Sequence, residues 1–207
     1  MTVTTALIAY LAAATLLTIT PGLDTAIVLR TSAVEGPRRA ALAALGVICG
    51  CLAWGVAAAL GLGVVLAASH LAYTVLKWAG AAYLAWLGVN LFVKPRAAFD
   101  LAATPTGPRA GNWWVRGFLT NLLNPKVGVF YVSFLPQFVP SHVAPAPFIL
   151  LLAVIHGALG ALWFAGLIGA SAPLKRWLQR AAVVRWLDRL TGVVFLGFGA
   201  RLAFDRS

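Results

Sequence analysis

Acidic residues are nearly missing from this sequence: five Asp and Glu stand against sixteen Lys and Arg in 207 residues, and charged types together make up only 10%. A typical soluble domain carries about 25% charged residues. A soluble globular domain, a disordered chain and a coiled coil are therefore excluded. Cysteine is confined to Cys49 and Cys51, which on a helix point about 200° apart and cannot bond to one another. The elements of catalysis are also missing. There is no paired carboxylate set, no Cys and His metal cluster, no phosphate-binding Gly-rich loop and no nucleophile with a base. No enzyme, no metal and no cofactor is expected.

What is present is apolar: 61% of residues, with a mean hydropathy of +0.90. These residues form long unbroken runs, not the alternating ten-residue strands of an outer-membrane barrel. The sequence predicts an all-α integral membrane protein with the lipid bilayer as its solvent. The formal charge of +11 and pI near 10.9 would suggest nucleic acid in a soluble protein. Here they reflect the scarcity of acids, and no alternation of aromatic and basic residues supports a nucleic-acid partner.

Six apolar segments can be marked at about residues 4–29, 40–68, 71–93, 115–139, 145–171 and 183–204. Each has the ~20 residues that a spanning helix needs. Turn and breaker residues separate them, among them Glu35-Gly36-Pro37, Pro95, Pro140 and Pro173. The first segment lacks the basic start of a signal peptide and runs past any cleavage site, so it reads as a retained helix. Twelve of the sixteen Lys and Arg gather at the connections after helices one, three and five, nine within them and three, Arg116, Arg185 and Arg189, in the first turns of helices four and six. The positive-inside bias puts those connections in the cytoplasm and both termini outside.

An internal repeat is visible. Lys77-Trp78-Ala79-Gly80-Ala81-Ala82-Tyr83-Leu84 matches Arg189-Leu190-Thr191-Gly192-Val193-Val194-Phe195-Leu196; Trp54 and Trp163 hold similar places, and Pro21 and Pro125 interrupt the first and fourth segments. Three helices per copy force the second copy into the membrane upside down, which is the inverted repeat of many transporters. The expected organisation is one transmembrane domain over 1–207, with repeat one at about 1–94, repeat two at about 112–207 and a basic connection at about 94–116.

The chemistry gathers at two interruptions. Helix one is broken by Thr20-Pro21-Gly22-Leu23-Asp24, and helix four by Asn121-Leu122-Leu123-Asn124-Pro125-Lys126. Proline lacks an amide donor and frees the carbonyl four residues back. Such a group persists in hydrocarbon only where protein, water or ligand satisfies it. Paired breaks mark a transport site, where half-helix N-termini suit a carboxylate and freed carbonyls a cation. Counted from Arg30 and Arg116, Asp24 lies about 9 Å deep and Lys126 about 15 Å deep. A lysine stem closes that difference, so the two are expected to pair or to share a cavity.

Thr20, Pro21, Gly22, Asp24, Asn121, Asn124, Pro125 and Lys126 form the candidate binding set, and Asp24, expected to be the only buried acid, is the candidate proton carrier. An N-cap role is the structural alternative for Asp24. Thr18, Thr25 and Thr120 either line the same cavity or bond their own helices. His156 reads as a cavity residue or as one bonded to a neighbouring helix. Gly46 and Gly50 form a small-xxx-small pair, read either as a homo-oligomer contact or as close packing within the bundle. Trp113 and Trp114 suit an interfacial belt.

These residues resemble the lysine exporter and homoserine/threonine exporter family, LysE/RhtB. The resemblance rests on the first break with Val28-Leu29-Arg30, the Gly36-Pro37-Arg38-Arg39-Ala40 turn, the block from Leu76 to Gly88, Gly117-Phe118 with the second break, and Phe134-Leu135-Pro136-Gln137-Phe138. Leu23 departs from the family's usual second proline. The resemblance implies export of amino acids or close derivatives through the bacterial inner membrane by a secondary transporter driven by the proton gradient. The site suits a zwitterion: Lys126 for the carboxylate, Asp24 and freed carbonyls for the ammonium. Other readings are an inorganic cation exporter, for which one acid beside a lysine is a poor oxygen cage, a thiol-redox carrier using Cys49 and Cys51, and a structural membrane subunit.

Overall fold

The computed structural model describes residues 2–20, 22–68, 112–170 and 180–204, with isolated positions between 78 and 93. Most of the third apolar segment, Pro21 and much of the basic connections lie outside the described residues. The described elements are α1 (Val3–Ile19), α2 (Leu23–Val34), α3 (Pro37–Ala68), α4 (Trp113–Leu122), α5 (Pro125–Val129), a π-helical stretch (Phe130–Phe134), a 3-10 turn (Leu135–Phe138), α6 (Pro145–Gly169) and α7 (Ala181–Phe204). All are helical, as the unbroken apolar runs required.

Local chemistry explains the boundaries. Thr2 caps α1 by accepting from the Thr5 amide at 3.2 Å. Between α2 and α3 the chain turns through Gly36 at φ +90°, a left-handed conformation suited to glycine, and Pro37 opens α3 where its missing amide is harmless. Asn112 caps α4 by accepting from the Trp114 and Val115 amides. Trp113 is buried under Arg116, whose guanidinium sits 4.7 Å from the ring centre.

Among the described residues, two helices are long and apolar enough to cross a bilayer, Pro37–Gly61 within α3 and Pro145–Gly169; α1 and α2 make a third if counted as one span, with a bend of 49° between them. The fourth apolar segment is not one α-helix. It breaks after Leu122, restarts at Pro125, and passes through the π-helical stretch into the 3-10 turn. Pro136 has no amide to donate back along the chain, and the Leu135 amide reaches five residues back to the carbonyl of Phe130.

α3 is the central element, with α4 on one side and α6 on another. The α3–α4 crossing is close because glycines face backbone: a Cβ on Gly117 would run into the carbonyl of Ala43, one on Gly46 into that of Trp114, and one on Gly50 would lie 2.6 Å from Asn121 Oδ1. The Gly46/Gly50 pair is thus used for packing within the chain. Contacts come in exchanged pairs. α1 touches α6 and α4 touches α3; α2 touches α3, α4 and α6, while the stretch from the π-helical residues to the 3-10 turn touches α6, α1 and α3.

Two buried apolar clusters result. One joins α1, α3 and α6 to the aromatic run Phe130, Tyr131, Phe134 and Phe138; the other joins Ile27, Val28 and Leu29 of α2 to Val47, Phe164 and Leu167. Tyr10 sits fully inside the first, stacked edge-on against Phe138 and donating to the Leu152 carbonyl at 2.8 Å.

Candidate functional site

The two breaks meet. Leu17 is four residues before Pro21 and so lacks its helical donor. Its carbonyl instead accepts from Lys126 Nζ at 2.9 Å, and the same ammonium donates to the Thr20 carbonyl at 2.9 Å. The side chain from the second break therefore caps the frayed end of α1, where the helix dipole is negative. Lys126 Nζ also lies 3.5 Å from where a Cβ would sit on Gly22, an ordinary contact distance that places the ammonium beside the break. The freed carbonyls of the first break are not left open for a substrate ammonium, as the sequence suggested, because the lysine fills them. At the second break the carbonyl of Asn121 is satisfied locally by the Asn124 amide at 3.0 Å.

Asp24 stands in the first turn of α2, whose N-cap is Gly22, so Asp24 is not the capping residue. Its Oδ2 accepts from Asn121 Nδ2 at 2.9 Å, while Oδ1 is buried with no hydrogen-bond partner among the described residues. A buried carboxylate oxygen without a partner is costly in hydrocarbon and points to a ligand. The Asn121 amide also reaches Cys51 Sγ at 3.4 Å. Asn124 accepts from the Lys126 amide at 3.1 Å and caps α5.

These groups surround one cavity of about 40 Å³, whose wall includes Thr18, Thr20, Gly22, Asp24, Thr25, Cys51, Asn124, Lys126, His156, Gly157, Gly160 and Phe164. That is room for about three water molecules. Of the expected site residues, Thr20, Gly22, Asp24, Asn124 and Lys126 line the cavity. Asn121 stands behind Asp24 and orients it. Pro125 is exposed and off the wall, where it serves as the first residue of α5. Pro21 lies outside the described residues.

Sequence reasoning missed the place of Cys51 on the cavity wall and the burial of Asp188, whereas His156 and Thr18 stand where one of their readings put them. Cys51 is on the wall, whereas Cys49 is half-buried elsewhere on α3, which separates the two thiols as their spacing required. His156 satisfies both of its readings at once, facing the cavity and pairing its Nδ1 with the Tyr131 hydroxyl at 2.9 Å. Asp188 on α7 is fully buried, so Asp24 is not alone among acids in the interior. Thr18 lines the cavity and also donates to its own helix at the Ala14 carbonyl.

A family profile described as LysE type translocator matches residues 15–206. The uncharacterized membrane protein YrhP of Bacillus subtilis is 33% identical over 204 residues, covering 94% of this chain and 97% of its own. The homoserine/homoserine lactone efflux protein of Salmonella typhi is 31% identical over 198 residues, with 96% of each chain covered. The threonine efflux protein of the same organism is 30% identical over 191 residues, covering 90% of this chain and 91% of its own. No solved structure matches. A profile spanning nearly the whole chain and relatives aligned end to end place this all-helical membrane protein in the family of LysE type translocators.

Proposed function

We propose that this chain exports a neutral amino acid, or a close derivative of one, from the bacterial cytoplasm through the inner membrane. The observation that carries the reading is the cavity wall holding one acid with an unpartnered oxygen and one ammonium pinned in place by two carbonyls. Lys126 receives the substrate carboxylate, and Asp24 Oδ1 accepts from its ammonium. An ionised Asp24 and the Lys126 ammonium cancel, and a zwitterion keeps the cavity neutral. A lysine or arginine substrate would add an uncompensated cation beside Lys126, which a membrane interior disfavours by about 2.5–3.5 kcal/mol. The names of the homoserine and threonine efflux relatives agree with this choice.

Asp24 also serves as the proton carrier that couples export to the proton gradient. The exchanged contact pairs support two inverted halves, one containing the first break and the other the second, which rock about the shared cavity to give alternating access. The basic connections face the cytoplasm and both termini face outward. A tag on the C-terminus is expected to be reached by antibody on intact spheroplasts; a tag reached only after lysis would reverse this orientation.

The export reading is tested by profiling amino acids inside and outside cells with and without the protein, after feeding dipeptides to load the cytoplasm. Faster appearance of neutral amino acids in the medium, with lower internal levels, is expected. Identical profiles across the two strains would refute it.

A further inference from the structure

Thr191 is absent from the cavity wall, yet it reaches the site through Thr20. We propose that Thr191 is a positioning residue, holding in place the Thr20 carbonyl on which the Lys126 ammonium rests; this builds on the reading of the site given above.

Thr191 lies on α7 and is 1% exposed, with its Oγ1 2.5 Å from Thr20 Oγ1. Thr20 is itself 2% exposed, and its Oγ1 is 2.7 Å from the carbonyl of Leu16. A carbonyl only accepts, and a threonine hydroxyl has one proton. The Thr20 proton is therefore committed to Leu16, and Thr191 donates to Thr20. The Thr20 amide bonds the same Leu16 carbonyl at 3.0 Å. Side chain and backbone together wind Thr20 onto the end of α1, leaving its own carbonyl directed to Lys126 Nζ at 2.9 Å.

The threonine pair ties the residue before Pro21 to a helix from the other half of the chain. Asp188 is fully buried and lies three residues earlier on α7, on the same helical face. α7 thus turns a polar face inward at this level, and in hydrocarbon such a face is seldom an accident of packing. With the Thr191 donor gone, Thr20 keeps its bond to Leu16 but loses its anchor to α7. The ammonium that receives the substrate carboxylate loses its fixed position with it.

Thr191→Val keeps the shape and removes the hydroxyl, while Thr191→Ser keeps the hydroxyl. The assay is uptake into everted membrane vesicles from a mixture of neutral amino acids including L-threonine and L-homoserine. KM and maximal rate are taken for the one moved fastest, at matched protein abundance, with Asp24→Asn measured alongside. We expect Thr191→Val to raise KM about 3- to 10-fold, the weight of one hydrogen bond, with a smaller change in maximal rate, and Thr191→Ser to restore it.

An unchanged KM in Thr191→Val while Asp24→Asn is inactive overturns the clasp and leaves the site standing. A loss of abundance or maximal rate alone, or equal damage from valine and serine, reduces Thr191 to packing and also overturns it. A wild type that moves none of the amino acids, or an Asp24→Asn variant with wild-type kinetics, removes the site and the clasp together.

Discussion

Export should fall by about 100-fold or more when Asp24 is replaced by asparagine, with the protein still inserted at near-normal levels. Asparagine preserves the shape and still offers an oxygen to Asn121, which now bonds Asp24 Oδ2 at 2.9 Å. It removes the charge to which the proposed site assigns the substrate ammonium. Truncating one member of a buried, hydrogen-bonded charge pair typically costs about 2–5 kcal/mol, which sets the size of the effect. Lys126→Gln is expected to lose export to a similar degree. Lys126→Ala should also lower abundance, since it strips the Leu17 and Thr20 carbonyls of a donor, and each orphaned buried group costs about 1–3 kcal/mol. The double variant Asp24→Asn/Lys126→Gln should be no worse than either single one, because both act on the same bound zwitterion. Initial export rates at matched abundance decide the matter, and full activity in either single variant would dismiss the cavity as the binding site.

The second large effect concerns folding. Gly117→Ala places a methyl group against the carbonyl of Ala43, where α3 and α4 touch backbone to backbone. The helices must separate to admit it, at about 1–3 kcal/mol, and Gly117→Val should be worse. Because the same crossing carries Asn121 against Gly50, separation also withdraws the amide that orients Asp24. Gly166→Ala on α6 is the control, since nothing lies within 4 Å of the added methyl. Membrane abundance and thermal unfolding in detergent should drop for Gly117→Ala and stay level for Gly166→Ala. Equal values for the two would show that the close crossing is not needed.

The breaks were legible because proline and glycine act on their own backbone, within one turn of themselves. That Asp24 and Lys126 share one cavity was legible, because counting residues from Arg30 and Arg116 brings them within reach of a lysine stem. The seat of the Lys126 ammonium was not, since the carbonyls of Leu17 and Thr20 that hold it were read as open to a substrate. What the sequence did not disclose are contacts between distant helices. Thr20 and Thr191 are 171 residues apart, and Tyr131 of the π-helical stretch meets His156 on α6, a different helix. Nor does hydropathy separate the buried face of a spanning helix from its lipid face, since both are apolar. The burial of Asp188 therefore went unforeseen, and Asp24 was expected to be the only buried acid. The Pro136 turn was visible as a residue but not as a change of helix type, because the outcome depends on which carbonyls the neighbouring amides find.

One acid and one amine in a single chamber have an electrical corollary. Under the proton coupling proposed above, the chamber carrying a zwitterion has no net charge, so a membrane voltage does no work on the outward stroke. Once the zwitterion has left and a proton sits on the acid, the chamber bears one positive charge, and a potential negative inside pulls it home with about 2.3 kcal/mol per 100 mV. Voltage would then hasten only the empty return of the carrier.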